Sequence, residues 1–184
     1  MHRLFVAIEI PEGVKDGLTA LCGGVDGARW RQREQMHLTL RFIGEVDGAV
    51  ARDIDDTLRG IRAPAFSLTL QGTGFFADRK RARVLWAGVR EERPLKQLHD
   101  KIERALADIG LEPERRRFRP HVTLARLSDV PRVEAEGYAA RHGEYASGEF
   151  TVDRFMLFSS YLARDGAIYT PEAEYPLATE EVPV

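Results

Sequence analysis

Hydrophobic positions along this chain change period several times, and each change marks a boundary between elements. Leu4, Val6, Ile8 and Ile10 alternate with Phe5, Ala7 and Glu9, the period-two pattern of a half-buried strand, which Pro11 ends. Val14, Leu18, Leu21 and Cys22 then recur at helical spacing until Gly23 and Gly24 stop them. After a basic linker, HLTLRFIG from His37 predicts a second strand, and Val50, Ile54, Leu58 and Ile61 predict an amphipathic helix closed by Pro64. FSLTLQGTGFF and VLWAGV each predict a strand, joined by the turn-rich basic segment ADRKRAR.

The second half follows a similar order. Leu95, Leu98, Ile102, Leu106 and Ile109 form one stripe on a long helix, with Pro94 at its start and Gly110 as its stop. HVTLARL from His121 is a strand, a shorter helix runs near Val133 to Arg141, and EFTVDRFMLFSSYL and IYTPEAEYPL supply the closing strands. Each half holds one long helix, one short helix and several strands joined mostly as antiparallel pairs or helical crossovers. No Pro/Ser-rich linker divides them. The pattern predicts an α+β fold in which residues 1–184 form a single domain of two pseudo-symmetric lobes.

Composition narrows the class. With 43% hydrophobic and 30% charged residues the chain reads as an ordinary globular protein, and no apolar run approaches the roughly 18 to 20 residues of a membrane-spanning helix. Pro11 and acidic residues interrupt the N-terminal apolar run before a signal-peptide core forms, and a lone cysteine, Cys22, fits a reducing compartment; a cytoplasmic location is expected. Cys22 reads as a small buried apolar residue. Net charge is −2, yet 23 of the 27 basic residues are Arg, clustered at Arg29 to Arg33, Arg79 to Arg83 and Arg115 to Arg119. Such local basicity suits a phosphate-bearing ligand, although charge runs are equally often solvated loops. Nothing demands more than a monomer.

One short pattern occurs twice: His-x-Thr-Leu at His37 and again at His121. Five His and nine Thr in 184 residues give roughly one quarter of a His-x-Thr pair by chance, before the shared Leu is counted. On a pleated strand His37 and Thr39 share one face while Leu38 and Leu40 take the other, and His121 and Thr123 repeat the arrangement. Two such strands side by side would bring two imidazoles and two hydroxyls to one groove.

That set suits displacement at phosphorus. Opening a phosphodiester needs a base for the attacking oxygen and an acid for the departing alkoxide, and imidazoles titrating near 6.5 supply both at neutral pH. Thr39 and Thr123 can donate to the non-bridging oxygens. There is no His-Glu-x-x-His, no Cys pair and no Asp-rich cluster beside either motif, so no metal and no cofactor are expected. Neither a Gly-x-Ser-x-Gly elbow nor a Gly-x-x-x-x-Gly-Lys loop is present. The rival is a non-catalytic nucleotide- or RNA-binding module.

HLTLRFIGEV at His37 and FRPHVTLARL at Phe118 resemble the two motifs of the 2H phosphoesterase superfamily, specifically the RNA 2′,3′-cyclic phosphodiesterases also called 2′-5′ RNA ligases. RLFVAIEIP, RVLWAGV and LFSSYLARDGAIYTPEAEYPL extend the likeness nearly end to end. The resemblance implies two lobes of mostly antiparallel sheet, helices packed outside and a basic central cleft. It also implies hydrolysis of an RNA 2′,3′-cyclic phosphate to a 2′-phosphomonoester, with 2′-5′ ligation as the reverse step. It assigns His37 as proton donor and His121 as proton acceptor, roles the spacing leaves open.

Four neighbours are further candidates for substrate binding. Arg41 shares pleat parity with His37 and could reach phosphate. Arg126 belongs to the family's motif but has the opposite parity to His121, so it touches substrate only if a bulge turns it. Phe118 could stack on a base or pack in the core, and Arg119, held extended by Pro120, could meet RNA backbone. Trp30 and Trp86 read as core. His2, His99 and His142 lack a Thr partner and are not expected to do chemistry.

Overall fold

The computed structural model describes residues 1–179 and places ten strands and four helices there. In chain order they are β1 (His2–Glu9), α1 (Glu12–Ala20), β2 (Ala28–Trp30), β3 (His37–Val46), α2 (Gly48–Arg59), β4 (Phe66–Leu68), β5 (Leu70–Ala77), β6 (Arg81–Val89), α3 (Arg93–Asp108), β7 (His121–Pro131), α4 (Arg132–Arg141), β8 (Phe150–Val152), β9 (Arg154–Ala163) and β10 (Gly166–Pro176). Local chemistry sets the boundaries. The Asp47 side chain caps α2 by accepting the Val50 N–H at 2.9 Å, and Pro94 opens α3, where no N–H is required.

The main sheet runs in the order β10-β9-β1-β3-β7-β6-β5, every pair antiparallel, with β2 also on β7. It nearly parts in the middle, because β3 and β7 share one ladder pair, Leu38 opposite Val122. About that pair β1 on β3 mirrors β6 on β7, which is the two-lobed arrangement the repeated pattern predicts.

All four helices pack on one face. Leu4, Val6, Ile8, Leu38, Leu40, Val122 and Leu124 meet Leu95, Leu98, Ile102 and Leu106 of α3, Ile54 and Leu58 of α2, and Ala135 and Tyr138 of α4 in one core. Each fully buried Leu there is worth about 2 kcal/mol. The other face carries only a small patch of Phe5, Ala7, Met156 and Phe158. The uncovered part of that face is the cleft.

Two predicted strands are each divided. FSLTLQGTGFF separates at Thr69 into β4 and β5, and EFTVDRFMLFSSYL separates at Asp153 into β8 and β9; β4 and β8 leave the main sheet to pair with each other. The basic linker before His37 contains a strand, β2, too short for a periodic signal.

Candidate active site

Alternation along β3 buries Leu38 and Leu40 and leaves His37 and Thr39 half-exposed on the cleft face; β7 does the same with Val122, Leu124, His121 and Thr123. The antiparallel register set by Leu38 and Val122 puts His37 opposite Thr123 and Thr39 opposite His121. The two motifs are therefore brought together, each histidine facing the other's threonine.

Both rings are oriented by the backbone two residues upstream. His121 Nδ1 lies 2.7 Å from the Arg119 carbonyl. His37 bonds to the backbone of Gln35, whose own N–H is already donated to Gln32, while its Nε2 lies 3.1 Å from Thr39 Oγ1. At His121 the carbonyl holds one ring nitrogen, which fixes the tautomer and leaves Nε2 for chemistry. Gln35 is itself pinned, its Nε2 donating to the Ala167 carbonyl at 2.8 Å and its Oε1 accepting the Gln32 N–H at 2.9 Å.

Surroundings separate the two histidines. His37 sits between Phe5 (ring centroids 4.8 Å apart), Phe158 (6.1 Å) and Tyr169 (5.1 Å, edge-on). Desolvation there, with the nearby charges of Arg31, Lys15 and His121, pushes its pKa down to about 4 against the opposing Gln35 bond. His121 is lowered too, chiefly by burial, and meets Phe76 edge-on at 4.9 Å with Trp86 at 6.3 Å. Beside it opens a cavity of about 820 Å³ whose wall includes Phe76, Trp86, His99, Phe118, Arg119 and His121.

β-Bulges decide the fate of the flanking arginines. Val6 pairs with Arg41 and Ala7 with Thr39, so Leu40 is an extra residue and the alternation slips by one. Arg41 therefore turns to the helix face, 8% exposed. There it meets Glu103 of α3 at 2.5 Å and donates to the Glu112 carbonyl. The expectation that Arg41 reaches phosphate is corrected: it is an internal ion-pair residue. The same bulge recurs on β7, where Trp86 pairs with Thr123 and Leu85 with Ala125, so Leu124 is extra. Here the slip turns Arg126 onto the cleft face, exposed, while Ala125 takes the buried position equivalent to Arg41.

Phe118 is half-buried on the cavity wall, stacked on His99 with centroids 3.9 Å apart and planes 4° from parallel, and Arg119 is exposed at the same rim. His99 thus belongs to the cavity. Trp30 packs on the core, but Trp86 faces the cleft, over Gly74, where a Cβ would overlap its ring. Phe5, Phe76, Phe158 and Tyr169 also escaped the reading of the sequence. The available signal was β1, where Phe5 and Ala7 are apolar on the side opposite Leu4 and Val6, as expected of a strand covered on both faces. Among the described residues, no group of three or more His, Cys, Asp or Glu could hold a metal ion.

An α+β sheet carrying paired His-x-Thr-Leu strands at its central seam defines the two-histidine class of phosphoesterases. The chain belongs to the 2′-5′ RNA ligase superfamily, whose sequence model matches residues 11–163. It is 40% identical over 138 residues to an RNA 2′,3′-cyclic phosphodiesterase of Aeropyrum pernix, covering 74% of this chain and 78% of that one. It is 34% identical over 173 residues to the enzyme of that name from Thermotoga maritima, covering 91% of each. Among solved structures, Escherichia coli LigT complexed with 3′-AMP superposes with a TM-score of 0.77 at 29% identity, over 96% of this chain and 98% of LigT.

Proposed function

We propose that this protein hydrolyses RNA 2′,3′-cyclic phosphate ends to 2′-phosphomonoesters, using His37 and His121 as acid and base without a metal. The observation that carries the reading is the seam of β3 and β7, which sets each His opposite the other motif's Thr on one open face. The names of the relatives support the substrate class.

In the hydrolytic direction His121 Nε2, with Nδ1 held by Arg119, accepts a proton from water as its oxygen attacks phosphorus. The bond from phosphorus to O3′ breaks, and His37 delivers a proton to that oxygen, leaving a free 3′-hydroxyl and a 2′-phosphate. Thr39 and Thr123 donate to the non-bridging oxygens as charge builds. An acid with a pKa near 4 is unprotonated at pH 7, so His37 needs its substrate: a bound phosphate opposes Arg31 and Lys15 and raises the pKa of the imidazole, favouring its protonated form. The protonated acid forms in the complex. Running backward, the same site joins a cyclic phosphate to a 5′-hydroxyl in a 2′-5′ linkage. Both motifs lie in one chain and one sheet, so a monomer of one domain suffices.

Incubation with an oligonucleotide ending in a 2′,3′-cyclic phosphate, with chelator present, tests the reading. His37→Ala and His121→Ala should each cut turnover roughly a hundredfold or more. Near-wild-type rates in both variants would remove the acid and base from the account, and binding without turnover at every pH from about 5 to 9 would favour a binding module.

A further inference from the structure

The backbone groups that orient the two imidazoles are themselves held in different ways. Gln35, beside His37, ends a 3-10 turn at Arg33–Gln35, closed by reciprocal hydrogen bonds with Gln32 and tied to β10 through the Ala167 carbonyl. Arg119, whose carbonyl holds His121, has no such turn around it. From Glu112 to Arg119 the chain forms neither helix nor strand, and among the described residues no backbone-to-backbone hydrogen bond ties it down.

Side chains of α3 and β3 do the holding instead. Glu103 accepts the Glu114 N–H at 3.3 Å, and its partner Arg41 donates to the Glu112 carbonyl. One helical turn earlier on the same face of α3, His99 stacks flat on Phe118, with centroids 3.9 Å apart and planes 4° from parallel. Of residues 112–119, Phe118 alone is withdrawn from solvent, so the stack is the one side-chain anchor close to the Arg119 carbonyl. The His99 ring is in turn steadied at its edges, Nδ1 lying 3.3 Å from the Asp100 carboxylate and Nε2 3.8 Å from that of Glu103.

Little freedom remains between the stacked ring and the base. Pro120 fixes its own φ and keeps Arg119 extended, so the direction of the Arg119 carbonyl follows from where Phe118 is pinned. That carbonyl is the acceptor 2.7 Å from His121 Nδ1. We propose that His99 is a positioning residue: its ring, stacked on Phe118, fixes the Arg119 carbonyl and through it the tautomer and aim of His121. The consequence for catalysis rests on the phosphoesterase reading, in which His121 is the base; the orienting role does not.

Two variants separate the ring from its nitrogens. His99→Gln keeps bulk and hydrogen-bonding groups but loses the ring, whereas His99→Phe keeps the ring and loses the nitrogens. Nitrogen-15 NMR of the His121 imidazole should show Nδ1 protonated in the wild type and in His99→Phe, and a mixture of tautomers in His99→Gln. On an oligonucleotide ending in a 2′,3′-cyclic phosphate, His99→Gln should lower kcat about tenfold or more with KM little changed, and His99→Phe should restore it. The carbonyl bond favours the charged ring, so losing it should also move the kcat/KM limb that His121 sets to lower pH in His99→Gln. A wild-type tautomer, kcat and pH profile in His99→Gln overturns the proposal. So does a His99→Phe variant as impaired as His99→Gln, or a rise in KM at unchanged kcat, which would make His99 a substrate contact. A tautomer lost in His99→Gln, in a wild type that turns over no cyclic phosphate, would support the positioning and count against the proposed chemistry alone.

Discussion

Replacing His37 by Gln removes a titrating ring from an aromatic enclosure while keeping a polar side chain on β3. In the unfolded chain imidazole takes up its proton as pH falls through about 6.5; in the folded protein His37 resists until about 4, because Phe5, Phe158 and Tyr169 exclude water and Arg31 and Lys15 repel the charge. Between those values the unfolded state binds more protons, so His37 contributes stability at neutral pH that is lost as pH falls. The interval corresponds to about 3 kcal/mol by pH 4. Urea unfolding followed by circular dichroism at pH 7 and pH 4 measures it. Both proteins lose stability on acidification, since carboxylates and His121 titrate in each, but the wild type should lose about 3 kcal/mol more than His37→Gln. Equal losses would refute the claim that the fold holds His37 as a desolvated neutral imidazole.

Other outcomes follow from the same geometry. The kcat/KM profile against pH should be a bell on the acid side of 6.5, reporting the two lowered histidines of the free enzyme, and the basic limb of kcat should lie at higher pH, because bound phosphate raises His37. Arg31→Gln should move the kcat/KM limb that His37 sets to higher pH, since one charge that depresses His37 is gone. Arg41→Met should destabilise by about 3 to 5 kcal/mol by stranding Glu103, and adding Glu103→Met should recover part of the loss in thermal unfolding, whereas an Arg41 that binds substrate would show its effect in KM. Gly74→Ala should displace the Trp86 ring beside His121, seen as a change in tryptophan fluorescence together with a lower kcat.

The central strands were legible because period two is the simplest pattern a chain can carry, and β3 and β7 follow it from His to Leu with a buried residue at every second position. Reading the pattern further failed where the backbone inserts a residue. Leu40 and Leu124 each look like one more step of the alternation, yet each is a bulge. The two arginines fare differently: Arg41, expected at the phosphate, lies in an internal ion pair, whereas Arg126, a substrate-binding candidate only on condition that a bulge turns it, is turned onto the cleft face by that bulge. A bulge is selected by cross-strand partners far away in sequence, so no local pattern announces it. The division of FSLTLQGTGFF at Thr69 has a related cause, since β4 leaves to pair with β8 some 80 residues later. The cavity beside His121 was beyond reach because its wall is assembled from β6, α3 and the segment before β7. His99 and Trp86, assigned to other roles, belong to it.

The most direct test of the account is phosphorus NMR of a single turnover on an RNA oligonucleotide ending in a 2′,3′-cyclic phosphate, with chelator present, using the wild type and the two His→Ala variants. The account predicts that the cyclic phosphate signal is replaced by that of a 2′-phosphomonoester alone, and that both variants leave the cyclic signal standing over the same interval. A 3′-phosphomonoester, or conversion that persists without His37 and His121, would contradict it.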